Sequence, residues 1–127
     1  MSTAEENVEL ITSAWRELVE TGNVPLDVVH PDVEWGTQLE TYHGHEGVRE
    51  WQRSIVSILG GIDIEMTGVE AVGDDKVVSE VEIKGQAQMT GIEGAVRAAT
   101  VWTIRDGLLI RVESFSTREE AMRAARS

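Results

Sequence analysis

The chain reads as an α+β domain, and three observations predict it. Apolar residues recur at helical spacing in the first half. They alternate with polar residues in the second half. The strands there follow one another across short turns, so helices and strands are segregated, which favours an antiparallel sheet over a wound parallel one.

The first helix is expected from Ala4 to Thr21. Thr3 and Glu6 form a T-x-x-E capping box, and Val8, Ile11, Trp15, Leu18 and Val19 draw one apolar stripe. Gly22-Asn23 is a stop signal. Pro25 suits the first turn of a short helix to Val29, which Pro31 ends. Val33 to Thr37 reads as a short strand, with Tyr42 near a second extended piece. A further helix runs from about His45 to Leu59, with apolar positions Val48, Trp51, Ile55, Ile58 and Leu59; Gly60-Gly61 terminates it.

After Gly61 the period becomes two. Ile62, Ile64 and Met66 alternate with Asp63, Glu65 and Thr67, and Gly68 marks a bulge. Gly73 to Lys76 is a turn. Lys76 to Gln88 is a long strand, bent near Gly85, and Gly91 to Gly94 is a loop or hairpin end. Val96–Arg105 and Leu108–Phe115 form a hairpin about Asp106-Gly107, a dipeptide suited to a tight turn. Thr117 and Glu120 cap a last helix through about Ala125. Residues 1–127 are expected to form one domain.

The formal charge is −12, from 23 acidic and 11 basic side chains. Such a field repels nucleic acid and anionic membranes, so neither is an expected partner. No cysteine is present, which excludes disulfides, thiolate zinc sites and thiol nucleophiles. The polar, acidic start shows no secretory pattern, and no apolar stretch approaches the ~20 residues that span a bilayer. A cytoplasmic location is the expectation.

Three passages carry a family resemblance. They are His30-Pro-Asp-Val-Glu-Trp35 with Tyr42-His-Gly-His-Glu-Gly-Val-Arg-Glu-Trp51; Val101-Trp-Thr-Ile-Arg-Asp-Gly-Leu-Leu-Ile-Arg111; and Glu113-Ser-Phe-Ser-Thr-Arg-Glu-Glu-Ala121. In this order, with these helices, the chain resembles the SnoaL-like polyketide cyclases and ketosteroid isomerase relatives of the nuclear transport factor two-like superfamily. The resemblance implies a cone-shaped, curved antiparallel sheet (a cystatin-like roll) wrapped around the N-terminal helices and enclosing a cavity. It brings Trp15, Trp35, Trp51 and Trp102 to that cavity from four elements, with Tyr42, Thr100, Val112 and Ser114 beside them. Such walls suit a flat, mostly apolar ligand with a few polar groups; core filling is the plainer alternative. The resemblance also implies a homodimer through the outer sheet face, where Arg97, Val101, Thr103, Arg111, Glu113 and Phe115 would show.

Ketosteroid isomerase chemistry needs a carboxylate base, a tyrosine and a protonated aspartate. Those positions fall on Trp35, Trp15 and Thr100, so none of the roles is retained. Limonene epoxide hydrolase, another relative, places a carboxylate where Ser114 stands. The remaining acid–base candidates are Glu82, Glu80 and His43. Glu80 and Glu82 share one strand face. The resemblance sets that face inward, whereas the alternate set Val77, Val81 and Ile83 is the more apolar. The pair therefore reads as solvated surface, as a buried acid, or as ion-pair partners of Arg97 or Arg111. His43 is a candidate at the cavity mouth. His45 reads as a helix-start residue and His30 as a turn residue. His43-x-His45-Glu46 matches no standard metal spacing, so no metal is expected, and no phosphate loop implies a nucleotide cofactor.

Three functions stay open: an isomerase-, cyclase- or hydratase-like enzyme on an apolar cyclic substrate, a non-catalytic binding domain for a hydrophobic or aromatic ligand, and an interaction module acting through its dimer.

Overall fold

The structure is a computed structural model that describes residues 3–37, 40–59, 62–85 and 95–126, with side chains of 55–59, 62–64, 83–85 and 95–96 left aside. The Gly60-Gly61 stop, the end of the long strand at Gln86–Gln88 and the loop Gly91–Gly94 lie outside the described residues. Among the described residues no helix is long and apolar enough to cross a membrane.

Helix α1 (Ala4–Thr21) starts at the capping box, with Thr3 Oγ1 accepting from the Glu6 amide and Glu6 accepting from the Thr3 amide, each at 3.1 Å. It ends at Gly22, whose φ of 77° lets its N–H bond the Leu18 carbonyl. The short helix expected over 25–29 is a single 3-10 turn, Leu26–Val28, because β1 (Val29–Gly36) already begins at Val29. Pro31 lies inside β1 rather than ending a helix. The β1 register against its neighbour shifts between Val29 and Glu34, so proline sits where the ladder is broken and its missing N–H costs no bond.

Strand β2 (Thr41–His43) leads into α2 (Gly44–Leu59). There follow β3 (Ile62–Val72), β4 (Lys76–Gly85), β5 (Ala95–Arg105), β6 (Leu108–Phe115) and α3 (Arg118–Arg126). Asp106 and Gly107 have φ of 52° and 76°, the two left-handed residues that a two-residue hairpin turn of right-handed strands requires. At β3 the register shifts between Met66 and Gly68, the bulge expected there.

The six strands form one open sheet in the order β2-β1-β6-β5-β4-β3. Every pairing is antiparallel except β1 with β6. The sheet is therefore mixed, which corrects the antiparallel expectation: the chain returns to β1 only after four intervening strands, and β6 arrives there pointing the same way.

The inner face carries Trp35, Val77, Trp102 and Val112 against Ile11 and Leu18 of α1 and Val48 of α2, all buried. The outer face carries Val78, Ala99 and Val101, buried beneath Ala121 and Ala125 of α3. Val101 and Thr103 are thus not displayed for a second subunit as expected; Arg97 and Arg111 are exposed, and Glu113 and Phe115 are half-buried. Alanines at four-residue spacing let α3 lie close on the sheet.

Candidate functional site: the tryptophan cluster and the groove beside it

The side chains on the inner face follow from strand parity. Trp35 pairs with Val112 on β6 and with Tyr42 on β2, while Trp102 pairs with Val77 and Val112. Trp35 meets Trp51 of α2 at a centroid distance of 4.9 Å and Trp102 edge-on at 5.8 Å. The first pair is tilted at 46°, and the second is the T-shaped arrangement that the ring quadrupole favours. Trp15 packs against the same cluster from α1, as do Tyr42 and Trp51. The four indoles expected from separate elements do converge.

They converge, however, by filling the space. The hollow between Trp15, Trp35, Trp102, Leu18, Val29 and Leu109 amounts to about 10 Å³, room for about one water at most, and its walls offer such a water no polar partner. The usable space lies on the other side of Trp15. A groove of about 550 Å³ runs between α1 and β3, lined by Thr12, Trp15, Arg16, Val19 and Glu20 on one wall and Glu65, Met66, Thr67, Gly68 and Val69 on the other. That volume suits a drug-sized ligand. Val19 is 50% exposed there, the only large apolar side chain so exposed among the described residues. A second hollow of about 660 Å³ lies between β3 and α3, but its lining is Glu70, Arg118, Glu119, Met122, Arg123 and Arg126. It has no aromatic wall, and Arg118 is tied to Glu70.

The groove follows from local sequence. The bulge at Met66–Gly68 re-aims the β3 edge, so that Glu65, Thr67 and Gly68 line it together with Met66 and Val69. Its walls carry hydroxyls at Thr12 and Thr67 and charges at Arg16, Glu20 and Glu65. Thr12 Oγ1 donates to the Val8 carbonyl at 2.8 Å, so its lone pairs stay available, and Thr67 Oγ1 reaches the Glu80 carbonyl at 3.3 Å. The Trp15 indole N–H has no hydrogen-bond partner among the described residues, whereas the Trp102 N–H donates to Ser79 Oγ at 2.8 Å in full burial.

The inner face also bears a row of hydroxyls in register, Ser79, Thr100 and Ser114, on adjacent strands. Ser79 is buried, Thr100 half-buried, and Ser114 donates to the Gly36 carbonyl at 3.1 Å. Thr100, Val112 and Ser114 thus share a face with the tryptophans, as expected. Tyr42 is half-buried on that face; its hydroxyl donates to Glu40 Oε1 at 2.7 Å, and this bond holds its pKa above the ordinary tyrosine value.

The three acid–base candidates stand elsewhere. Glu80 pairs with Ala99 and Glu82 with Arg97, which sets both on the outer face, opposite Trp102. The inward placement drawn from the resemblance is thereby corrected: the apolar alternate set, led by Val77, takes the interior, while both carboxylates, each half-buried, go to the face where a cation stands beside them, since an unpartnered buried carboxylate is costly. Glu82 Oε2 lies 3.9 Å from Arg97 Nε, the ion-pair alternative. His43 pairs with Glu34 and is exposed on the outer face. His45 Nε2 lies 2.7 Å from the Val29 carbonyl and ties α2 to β1. His30, expected in a turn, instead lies within β1, where its Nδ1 accepts from the Asp32 amide at 2.9 Å. Among the described residues no group of His, Asp or Glu could hold a metal ion.

The groove residues other than Trp15 escaped sequence reasoning. Their one signal is Gly68, whose bulge was legible although its consequence for the β3 edge was not. Ser79 escaped too, because only the register shows that it faces Trp102.

Comparison with known proteins bears on the fold. No protein of curated function matches the chain. Among solved structures it is similar to TerC co-crystallised with polyporic acid, at 24% identity and a TM-score of 0.70 over 95% of this chain and 98% of that one. It is similar to an NTF2-like protein from Burkholderia thailandensis, at 19% identity and 0.71 over 96% and 98%. A de novo designed protein with a curved β-sheet shares the fold at 20% identity and 0.64, over 93% of each chain. Since a designed chain adopts it, the fold by itself carries no activity. The SnoaL-like domain matches residues 13–112. With that match running from the middle of α1 into β6, well over half of the sequence, the chain belongs to the SnoaL-like domain family.

Proposed function

We propose that this domain binds a flat, largely apolar small molecule in the α1–β3 groove, with one face against Trp15. The observation that carries it is a groove of ligand size walled by half-exposed Val19 and by Trp15, whose indole N–H has no hydrogen-bond partner among the described residues. Met66 and Val69 give the opposite wall, and the hydroxyls of Thr12 and Thr67 supply uncharged polar contacts. Binding without proton transfer is favoured over an isomerase or cyclase activity by where the acids and bases stand. Glu80, Glu82 and His43 lie on the outer face of the sheet, opposite the tryptophans, and the Glu80 carboxylate meets the groove's edge through Thr67 Oγ1, at 3.4 Å. A homodimer, if formed through the outer face, would use Arg97, Arg111 and Glu113, which α3 leaves uncovered.

The test is a panel of uncharged aryl compounds followed by tryptophan fluorescence and thermal unfolding. A binder at 100 times its Kd stabilises by about 2.7 kcal/mol, a shift of several degrees. Val19→Glu, exposed and tolerable to the fold, should weaken binding about tenfold, roughly 1.4 kcal/mol. Glu82→Gln and His43→Ala should leave it unchanged. Loss of binding in those two variants with Val19→Glu silent would contradict the proposal and favour outer-face chemistry.

A further inference from the structure

We infer that Trp15 is the end-stop that sets how long a ligand the groove accepts. The inference rests on the groove being the binding site. Among the described residues, Trp15 alone lines both the groove and the narrow hollow beneath it. On the groove side its neighbours include Thr12, Arg16 and Thr67, which can meet polar groups. On the hollow side stand Leu18, Val29 and Leu109 with Trp35 and Trp102. The single N–H of Trp102 is already committed to Ser79 there. The deep side therefore rewards only hydrocarbon or aryl surface, and a polar group driven into it would go unpaired. The ligand class follows: an amphiphilic molecule whose hydroxyl or carbonyl oxygens stay in the groove and whose aryl end abuts the indole. Removing the indole would open the apolar hollow, enlarged by the space of the ring, to the groove. Apolar space of that kind is poorly suited to water and takes up aromatic hydrocarbons.

The experiment compares 1-naphthol with the longer 4-phenylphenol by calorimetry on the wild type, Trp15→Phe and Trp15→Ala. Circular dichroism confirms folding, and Trp15→Phe serves should the alanine variant not fold. The ratio of the two affinities should shift toward 4-phenylphenol by about tenfold in Trp15→Ala and by less in Trp15→Phe. Val19→Glu should weaken both ligands in every background. An unchanged ratio, with Val19→Glu still weakening both, would overturn the end-stop while leaving the groove as the site. Binding of neither compound to any of the proteins, or binding indifferent to Val19→Glu, would overturn the groove itself.

Discussion

At the scale of single residues, the indole N–H groups meet different fates. Trp102 is buried and its N–H is met by Ser79. Ser79→Ala leaves that donor buried and unpaired, so it should cost about 1–3 kcal/mol in denaturant unfolding. Ser79→Thr keeps the acceptor and should lose less. The sequence displays all four tryptophans, and strand parity foretells that Trp102, Thr100, Val112 and Ser114 share a face. It does not display Ser79 as a partner, because pairing across strands depends on a register that no local pattern encodes. The cap of α1 is more legible, since Thr3 and Glu6 form it within four residues. Hydrogen bonds from the Thr3 amide and hydroxyl hold the Glu6 pKa below its ordinary 4.5. The folded-state value is depressed, so this contribution is present above pH 4.5 and is lost as pH falls through the folded value. Thermal melts between pH 5 and 2.5 (roughly) should therefore fall less steeply in Glu6→Gln, which removes the titrating group, than in the wild type. An identical slope would show that the cap carries no linkage.

At the scale of elements, the close seating of α3 on the outer face is the feature most open to test. Ala121 is fully buried against Val78, Ala99 and Val101. Ala121→Leu should cost about 1–3 kcal/mol by overpacking, whereas Ala124→Leu, on the half-buried flank, should cost less. At the β5–β6 turn, Gly107→Ala should cost about 1 kcal/mol because φ is 76° there. Most elements were legible: the stripe of α1, the alternation of β3 and the Asp106-Gly107 turn each arise from neighbours in sequence. What sequence did not display was the parallel seating of β1 on β6. Parallel and antiparallel neighbours make similar demands on a short strand, and the choice is made by the path of the whole chain. Pro31 misled for a related reason: it breaks a helix and a ladder alike, and only the register shift shows which it interrupts.

At the scale of the whole molecule, four aromatic residues in four elements do gather under one sheet, but their rings occupy the hollow they surround. Volume, unlike composition, is a property of side-chain fit, so the sequence could place the tryptophans without foretelling that the open space lies beyond Trp15. The same holds for charge. The count of −12 sets a field that repels polyanions, yet it is strand parity that turns Glu80 and Glu82 outward. The most direct measurement is a titration of 15N-labelled protein with 1-naphthol, following the four indole N–H resonances. The groove predicts that the Trp15 resonance moves most and that the Trp102 resonance, held by Ser79, stays in place. Movement of Trp102 with Trp15 unmoved would contradict it.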